Sequence, residues 1–468
     1  MTEAVVMLAF CATLFVSVAQ GWSIIPALLI GMVLFVGYGL ARGRKLSAMT
    51  RRAAGSIRAA GMILVTFALI GMLTSLWRAS GTIAFIVAHA SSLIHGVTVL
   101  PLTFLLCSAM SMLIGSSFAS AATMGTICMS LGLSMGAHPA MLGGAVLAGV
   151  YVGDRFSPVS TSALLVAQLT HTNLFSNLGR MLRTGAVPFA SSCIVYAVAA
   201  VTGIMSGDGT SSAVSGGVPI AGLFAKAFDL HWLTVTPAIL VVVMALLRVG
   251  VRLTMLASIA VSAVVCVGVQ RMTWPELLRL LVSGYHAVDP HVGALLDGGG
   301  MISMVNVAAI VCISSAYAGI FAETRMLARL RHAIDALGFR IGATGATTAV
   351  AAGAAALSCN QTLTIMLTHQ LCTGLYGDDE AARGAFAVDL EDSAVVIAPL
   401  VPWSIAGAVP LATIGAPTVS IAAATFLYLL PLTRLLASAI RRHRRATVPT
   451  ECGESGELRD DDAIMASV

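Results

Sequence analysis

The sequence feature that most restricts the fold is a stretch from Ala79 to Gly153 that contains no Asp, Glu, Lys or Arg. Only 10% of the 468 residues are charged, whereas soluble domains carry roughly 25% charged residues. A chain with so few charges lacks the polar surface that water requires on all sides. Apolar runs of about 20 residues are long enough to cross a bilayer as helices. The stretch therefore predicts several membrane spans.

Further apolar runs of that length occur along the chain, and the mean hydropathy is +0.93. They are too long and continuous for the alternating strands of a membrane barrel. We predict an all-α polytopic membrane protein with about 10–12 transmembrane helices. The clearest runs cover residues 4–20, 22–40, 59–77, 97–115, 184–203, 253–269, 301–322 and 416–433.

Basic residues predict the orientation. The loop at residues 41–58 carries six Lys and Arg side chains, and short loops rich in these residues stay on the cytoplasmic side. The N-terminus is then cytoplasmic as well. The tail at residues 441–468 begins basic and ends acidic, and we predict that it is cytoplasmic and disordered.

The two halves of the chain resemble each other. Residues 71–86 resemble residues 315–330 at an offset of 244 positions, and residues 115–125 resemble the stretch at 358–366 at nearly the same offset. An offset of 238 places Asp154 on Asp392. The alternative is that membrane helices resemble one another by composition alone.

Charge placement predicts that the repeats have opposite orientations, since the basic loops precede a span in one half and follow it in the other. Inverted repeats are typical of secondary transporters, whose binding sites lie where helices are broken. We predict a first repeat at residues 1–205, an external Gly/Ser-rich linker at 206–217 and a second repeat at 218–440. The expected architecture contains broken helices or re-entrant hairpins.

Four polar segments interrupt the apolar background, two in each half. They are GSSFASAATMG at 115–125, GDRFSPVSTS at 153–162, SCNQTLTIMLTHQ at 358–370 and LEDSAVVIAPLVPWSIAG at 390–407. In the second segment, Ser157 before a proline predicts a helix that starts at Pro158, with residues 153–156 as an unwound link. Hydroxyls, a carboxylate and unwound carbonyls are the oxygen ligands that a small cation needs.

Each polar segment also has a structural interpretation. Ser and Thr in membrane helices often bond to the preceding turn or to a neighbouring helix. Asp154 and Arg155 are either a solvated pair at the membrane interface or buried charges. In the buried case Arg155 neutralises Asp154, Asp392 or Glu391, because an isolated charge in a membrane is costly.

The polar segments resemble the NhaC family of Na+/H+ antiporters, within the ion transporter superfamily. The motifs that carry the resemblance lie at residues 153–182, 298–327, 360–367 and 390–415, and the likeness extends over most of residues 1–440. The resemblance implies exchange of cations across the cytoplasmic membrane. It carries the family's polar residues onto Asp154, Ser157, Ser160, Gln361, Glu391, Asp392 and Ser393.

The chain departs from the family pattern at several polar positions. Thr161 stands where family members often have an Asp, and Leu164 where they often have an Asn. Asn360 stands where an Asp commonly precedes the Gln, and Val395 is one of several apolar replacements in the fourth segment. Two acidic positions are therefore neutral, which leaves the exchange of organic acids or amino acids open.

The first hypothesis for function is exchange of Na+ or another monovalent cation for H+ by alternating access. Its candidate cation and proton ligands are Asp154, Ser157, Ser160, Thr161, Asn360, Gln361, Glu391, Asp392 and Ser393, with Na+ at Asp154 and Asp392. The alternative is a cation-coupled exchanger or symporter of a small organic acid or amino acid. In that case Arg155, otherwise a charge partner, anchors the carboxylate through its bidentate guanidinium.

Other functions are disfavoured. The chain contains no HExxH or GxSxG motif, so we predict that it is not an enzyme and needs no cofactor. No basic-aromatic surface accompanies the net charge of +5, which disfavours nucleic acid as a partner. The expected partners are the transported cation, H+ and the lipid bilayer, and a homodimer is a further possibility.

Overall fold

The fold is helical throughout the part of the chain that the structure, a computed structural model, describes. The described residues are 2–20, 22–59, 61–90, 98–202, 220–247, 249–324 and 331–447. They contain no β-strand, and an isolated β-bridge joins Tyr285 to Gly298. The predicted all-α fold is thus confirmed. The predicted linker at 206–217 and the tail from residue 448 lie outside the described residues.

The helices of the first half are α1 (Thr2–Ala19), α2 (Ile24–Ala41), α3 (Leu46–Ala59), α4 (Gly61–Ala79), α5 (Thr82–Ala90), α6 (Val99–Ile114), α7 (Ser117–Ser120), α8 (Thr126–Ser134), α9 (Pro139–Phe156), α10 (Thr161–Leu169) and α11 (Leu174–Val201). A π-helical turn at Ala121–Gly125 joins α7 to α8.

The helices of the second half are α12 (Ile220–Ala227), α13 (Thr236–Leu246), α14 (Val251–Gly268), α15 (Trp274–Ser283), α16 (Pro290–Leu296), α17 (Val305–Thr324), α18 (Arg331–Ile341), α19 (Ala343–Ser358), α20 (Gln361–Cys372), α21 (Glu380–Glu391), α22 (Ala394–Ile397), α23 (Ile405–Ile414) and α24 (Thr425–Thr447). Short 3-10 turns lie at Trp232–Val235, Met301–Met304, Thr373–Leu375, Ala398–Leu400 and Thr418–Ala423.

Many helices are shorter than a bilayer is thick. Among the described residues α2, α11 and α14 are each long and apolar enough to span a membrane, and two bent pairs raise the count to five. The second pair, Glu380–Leu400 with Ile405–Ile414, is bent by 55°. The chain is a polytopic membrane protein, and the number of 10–12 spans stays a prediction.

The apolar run at 416–433 is not one helix, contrary to the prediction. Gly415 adopts a left-handed conformation with φ +70° and ends α23. A 3-10 turn at Thr418–Ala423 follows, and α24 starts only at Thr425. Hydropathy alone does not detect this break, since the residues on both sides are equally apolar.

Element boundaries repeat at the offset of 244 positions. Helices α6 and α19 both have 16 residues, and their first residues are 244 positions apart. Each ends at a left-handed residue, Gly115 with φ +69° and Cys359 with φ +54°. The next residues, Ser116 and Asn360, are extended, with φ/ψ of −144°/119° and −147°/131°. We call Gly115–Ser116 helix break 1 and Cys359–Asn360 helix break 2.

A second pair of interruptions follows the same offset. Ser157–Ser160 separates α9 from α10, and Val401–Ser404 separates the Ala398–Leu400 turn from α23. We call these segments proline link 1 and proline link 2, because each has proline in second place. Ser160 and Ser404 cap the following helices through their hydroxyls, accepting from Ala163 N and Ala406 N at 3.3 Å in both cases.

This correspondence corrects two predictions. At the observed offset Asp154 corresponds to Ala398, so the offset of 238 that paired it with Asp392 is wrong. The predicted unwound link at 153–156 is also wrong, since α9 continues to Phe156. Proline 158 disfavours a helical conformation for the residue before it, and Ser157 is accordingly extended (φ −93°, ψ 137°). The next helix starts at Thr161 rather than at Pro158.

Close packing of α6 against α9 places the end of α9 beside helix break 1. A Cβ at Gly149 would lie 2.7 Å from Cys107 Cβ, and one at Gly153 would overlap the backbone at Ser111. Small residues allow membrane helices to approach this closely. The Ser111 hydroxyl also donates to the Val150 carbonyl. The residue that follows Gly153 therefore lies next to the end of α6.

Candidate functional site

The two helix breaks meet at Asp154. The side-chain amide of Gln361, the first residue after helix break 2, donates to Asp154 Oδ2 at 2.9 Å and to the Val395 carbonyl at 3.2 Å. Ser117, the first residue after helix break 1, also hydrogen-bonds with the Asp154 carboxylate, as does Ser162. Ser117 and Gln361 are repeat counterparts, so both halves contribute the same position to one carboxylate.

Asp154 is buried, with 4% of its surface exposed. Its partners Gln361, Ser117 and Ser162 are all neutral. Among the described residues no Lys or Arg forms an ion pair with it. A buried carboxylate without a cationic partner is costly in its ionised form. The site therefore favours either a proton or an external cation at Asp154.

Arg155, the next residue, pairs with Asp392 instead. Its Nε and Nη2 donate to Asp392 Oδ1 at 2.9 and 2.6 Å, and the two side chains are 2% and 1% exposed. Nη2 also donates to the Met181 carbonyl at 3.0 Å and to Thr184 Oγ1 at 2.8 Å. The interaction ties α9 to α21 and α11. The interpretation of Asp154 and Arg155 as a solvated pair is excluded by this burial.

A second ion pair extends this network. Arg434 Nε donates to Asp389 Oδ1 at 2.7 Å and lies 3.8 Å from Asp392 Oδ2. Asp389 Oδ2 accepts from Thr344 Oγ1 and from the Tyr376 hydroxyl, both at 2.8 Å. Two arginines thus face two aspartates, and the network is neutral as a whole.

Glu391 lies next to Asp392 in sequence and near Arg155, but it is not hydrogen-bonded to this network. It is 1% exposed, and neither carboxylate oxygen has a hydrogen-bond partner among the residues that the structure describes. With both oxygens unsatisfied, burial strongly disfavours a negative charge on this side chain. The neutral, protonated acid is the form that this environment accommodates.

The predicted hydroxyl ligands are mostly engaged with the backbone. Ser157 Oγ donates to the Met112 carbonyl at 2.7 Å, and Ser393 Oγ donates to the Asp389 carbonyl at 2.5 Å. Ser160 Oγ donates to the carbonyl of Asp154. These contacts brace the ends of α6, α9 and α21, so the hydroxyls have a structural role beside any role in binding.

A cavity of about 290 Å³ lies at the meeting point. Both helix breaks line it, together with Asp154, Gln361 and Thr161. Asn360 lines it too, although its Oδ1 already accepts from Thr362 N at 2.9 Å. Arg252, in the first turn of α14, borders the same cavity.

Comparison with known families identifies the family to which the chain belongs. The model of the Na+/H+ antiporter family matches residues 1–176 and 149–439. The chain belongs to the Na+/H+ antiporter family. This confirms the family that the polar motifs indicate, and the matched residues include every side chain of the site described above.

Curated relatives match most of the chain at low identity. The Na(+)/H(+) antiporter NhaC of Alkalihalophilus pseudofirmus is 26% identical over 79% of this chain and 80% of its own length. The arginine/ornithine antiporter ArcD of Halobacterium salinarum is 26% identical over 77% and 74%. The malate-2H(+)/Na(+)-lactate antiporter of Bacillus subtilis is 23% identical over 77% and 76%.

Several residues of the candidate site were not predicted from the sequence. Thr184, Tyr376, Asp389 and Arg434 all belong to the ionic network. Asp389 lies three residues before Asp392, a spacing that places two side chains on one helix face. An isolated arginine within an apolar helix, such as Arg434, is also a signal in itself, because such charges require partners.

Proposed function

We propose that the protein exchanges Na+, or another monovalent cation, for H+ across the cytoplasmic membrane by alternating access. The observation that carries this proposal is Asp154, a buried carboxylate with neutral partners where two broken helices meet. Membership of the Na+/H+ antiporter family and the names of the relatives support the same activity. They also support a transporter rather than an enzyme.

Competition at Asp154 supplies the coupling. In its ionised form the carboxylate attracts a monovalent cation, with hydroxyl and amide oxygens of Ser117, Ser162 and Asn360 available nearby. In its protonated form the carboxyl is neutral and no longer attracts the cation. A site that holds one or the other, and opens to each side in turn, exchanges a cation for a proton.

The ionic network has a positioning role in this proposal. Arg155 and Arg434 balance Asp392 and Asp389, so none of these charges needs to change during transport. Na+ is therefore placed at Asp154 rather than at Asp392. Glu391 stays protonated, as its lack of partners favours.

The repeat supplies the framework for alternating access. We propose that the halves at 1–205 and 218–440 have inverted orientations, with 206–217 as an external linker. The basic loop at 41–58 supports cytoplasmic termini. A homodimer in the lipid bilayer completes the proposed assembly.

The test uses everted membrane vesicles with an imposed pH gradient and a pH-sensitive dye. Addition of Na+, Li+ or K+ to vesicles with the unmodified protein is expected to collapse the gradient for at least one ion. Asp154→Asn is expected to abolish the response, because the amide carries no negative charge and neither binds nor releases a proton near neutral pH. The matched control is Asp378→Asn, an exposed acid outside the site, which is expected to respond normally.

Two results would contradict the proposal. The first is no response of the unmodified protein to any of the three cations, with the protein present in the vesicles. The second is a full response in Asp154→Asn, which would place the exchanging carboxylate elsewhere.

A further inference from the structure

Helices α4 and α14 run parallel to each other through the fold. Cys266 Sγ, on α14, lies 4.0 Å from the Leu76 carbonyl oxygen on α4. Just beyond the ends of both helices, the side-chain amide of Gln270 donates to the Ser80 carbonyl at 3.1 Å. Both pairs are 190 positions apart, so residues of the two helices that differ by 190 lie at about the same level.

Arg252 lies at one end of this helix pair. It is in the first turn of α14, level with residue 62 in the first turn of α4. Helix α14 is long and apolar enough to span a bilayer, and the first turn of such a helix lies at a membrane interface. Since α4 directly follows the basic stretch at 41–58, Arg252 lies at the interface that carries this stretch. In the proposed orientation that interface is cytoplasmic.

A groove of about 730 Å³ extends from Arg252 into the depth of the membrane. Leu73, on α4, also lines it. Residue 73 lies beyond residue 62, the level of Arg252, by a distance of about 16 Å at the helix rise of about 1.5 Å per residue. One leaflet of the hydrocarbon core is about 15 Å thick, half of the whole core. The groove therefore extends through about one leaflet.

The lining of the groove suits a hydrocarbon chain. Leu113, Val159, Leu164 and Leu253 line it, and they are between 37% and 59% exposed. Among the described residues that line the groove, Arg252 is the only charged one. Lipid tails are as apolar as leucine, whereas water against these side chains is unfavourable. The groove therefore favours an acyl chain over water or a polar solute.

The Arg252 side chain suits a phosphate group. It is exposed, and among the described residues the structure records no hydrogen-bond or ion-pair partner for its guanidinium. A guanidinium offers two parallel N–H donors that match the oxygens of a phosphate. Basic sites between membrane helices on the cytoplasmic side are suited to anionic lipid head groups. The free cation and the apolar groove thus match the two parts of one kind of molecule.

We propose that this groove binds an anionic phospholipid of the cytoplasmic leaflet, with the lipid phosphate on the Arg252 guanidinium and an acyl chain along the groove. The charge of Arg252 selects the head group, and the apolar lining and its depth select the chain. A zwitterionic phospholipid binds more weakly, because its own cationic group offsets the charge of its phosphate. The inference uses the proposed orientation of the chain and does not depend on the exchange of cations.

The experiment measures binding of the first lipid by native mass spectrometry of the purified full-length protein in detergent. The probes are dioleoyl phosphatidylglycerol, dioleoyl phosphatidylcholine and glycerol 3-phosphate. The two lipids have the same chains and different head groups, and glycerol 3-phosphate is an anion without chains. Phosphatidylglycerol is expected to bind at least tenfold more tightly than phosphatidylcholine, and glycerol 3-phosphate is expected not to bind measurably.

Two variants separate the head group from the chain. Arg252→Gln is expected to lower the affinity for phosphatidylglycerol to that for phosphatidylcholine, and Arg252→Lys to lower it by less, because lysine keeps the charge. Leu164→Trp adds bulk at an exposed position of the groove and is expected to weaken the binding of phosphatidylglycerol at least threefold. The matched control is Arg279→Gln, which changes an exposed arginine on α15 outside the groove and is expected to bind normally. Equal thermal unfolding confirms that the variants are folded.

Equal binding of the two lipids to the unmodified protein would overturn the inference, as would unchanged binding of phosphatidylglycerol to Arg252→Gln or to Leu164→Trp. Glycerol 3-phosphate that binds as tightly as phosphatidylglycerol would also overturn it, because the site would then hold a free phosphate. The dye assay tests the exchange of cations separately. Intact exchange without a preference for the anionic lipid refutes only this inference, and absent exchange with Arg252-dependent lipid binding refutes only the proposed exchange.

Discussion

Helix break 1 and helix break 2 have nearly the same backbone and different side chains. Each follows a helix of 16 residues, turns through a left-handed residue and continues in extended conformation. The carbonyl three residues before each left-handed residue accepts from a proline link: Met112 from Ser157 at 2.7 Å and Ala356 from the Trp403 indole at 2.8 Å. The same backbone position is satisfied by a hydroxyl in one half and an indole in the other.

The chemistry of the site is divided unequally between the halves. The first half supplies Asp154 and Arg155, whereas the corresponding positions in the second half are Ala398 and Pro399. The second half supplies Gln361 to Asp154 and Asp392 to Arg155. The repeat therefore provides two similar broken helices, and the single carboxylate site arises because their side chains are different.

The largest expected effect concerns the ion pair that joins the halves. Arg155→Gln leaves Asp392 buried with only Arg434 nearby, at 3.8 Å. Breaking a buried pair costs about 3–5 kcal/mol, so the free energy of unfolding should fall by about that amount. Asp392→Asn should cost a similar amount, since it leaves Arg155 unpaired. Unfolding of the purified variants in detergent measures both.

The double variant Arg155→Gln with Asp392→Asn tests the pairing. It removes both charges and should lose clearly less stability than the two single losses added together. Additive losses would show that the two side chains stabilise the fold independently.

An intermediate effect is expected for the counterparts Ser117 and Gln361. Gln361→Leu removes the amide that donates to Asp154 at 2.9 Å. Hydrogen bonds to charged groups contribute about 1.5–3 kcal/mol, so the Na+ concentration for half-maximal exchange should rise at least about tenfold. Ser117→Ala should raise it in the same direction, because Ser117 also bonds with this carboxylate.

The readout is the dye response over a Na+ titration, compared with Thr202→Val as a control at the exposed end of α11. An unchanged half-maximal concentration in both site variants would show that the two breaks do not cooperate at Asp154.

The smallest effect concerns the left-handed residues themselves. Gly115→Ala places a Cβ at φ +69° and 2.7 Å from Val159 Cγ2. A left-handed conformation costs a non-glycine residue about 1–2 kcal/mol. The new Cβ would also lie 2.8 Å from the Val159 carbonyl carbon and 2.9 Å from Ser160 N, so this variant should lose at least about 1–2 kcal/mol of stability. Cys359→Gly should gain up to about 1 kcal/mol, because Cys359 already carries that cost at φ +54°. Thermal unfolding compares the two.

A loss of stability in Gly115→Ala together with a gain in Cys359→Gly would support the structural equivalence of the two breaks. A loss of stability in Cys359→Gly would show that packing of the buried Cys359 side chain outweighs the backbone strain at this position.

The sequence predicted the repeat better than it predicted the residues that pair. The offset of 244 followed from weak similarities, and the same offset appears in the helix ends, the left-handed residues and the proline links. The predicted helix start at Pro158 was wrong because residues 157–160 form a single turn, closed by Ser160 N donating to the Ser157 carbonyl at 3.1 Å. The helix begins only after this turn, and Ser160 caps it.

Composition and local pattern determined the all-α membrane fold, the family and the four polar segments, since each of these depends on residues close together in the chain. Only the tertiary structure decided that Arg155 pairs with Asp392, 237 positions away, and that Asp154 has neutral partners. Adjacent residues in a helix point in different directions, so Asp154 and Arg155 face different neighbours. Which neighbours they face depends on how the two halves pack together, and no local pattern contains that information.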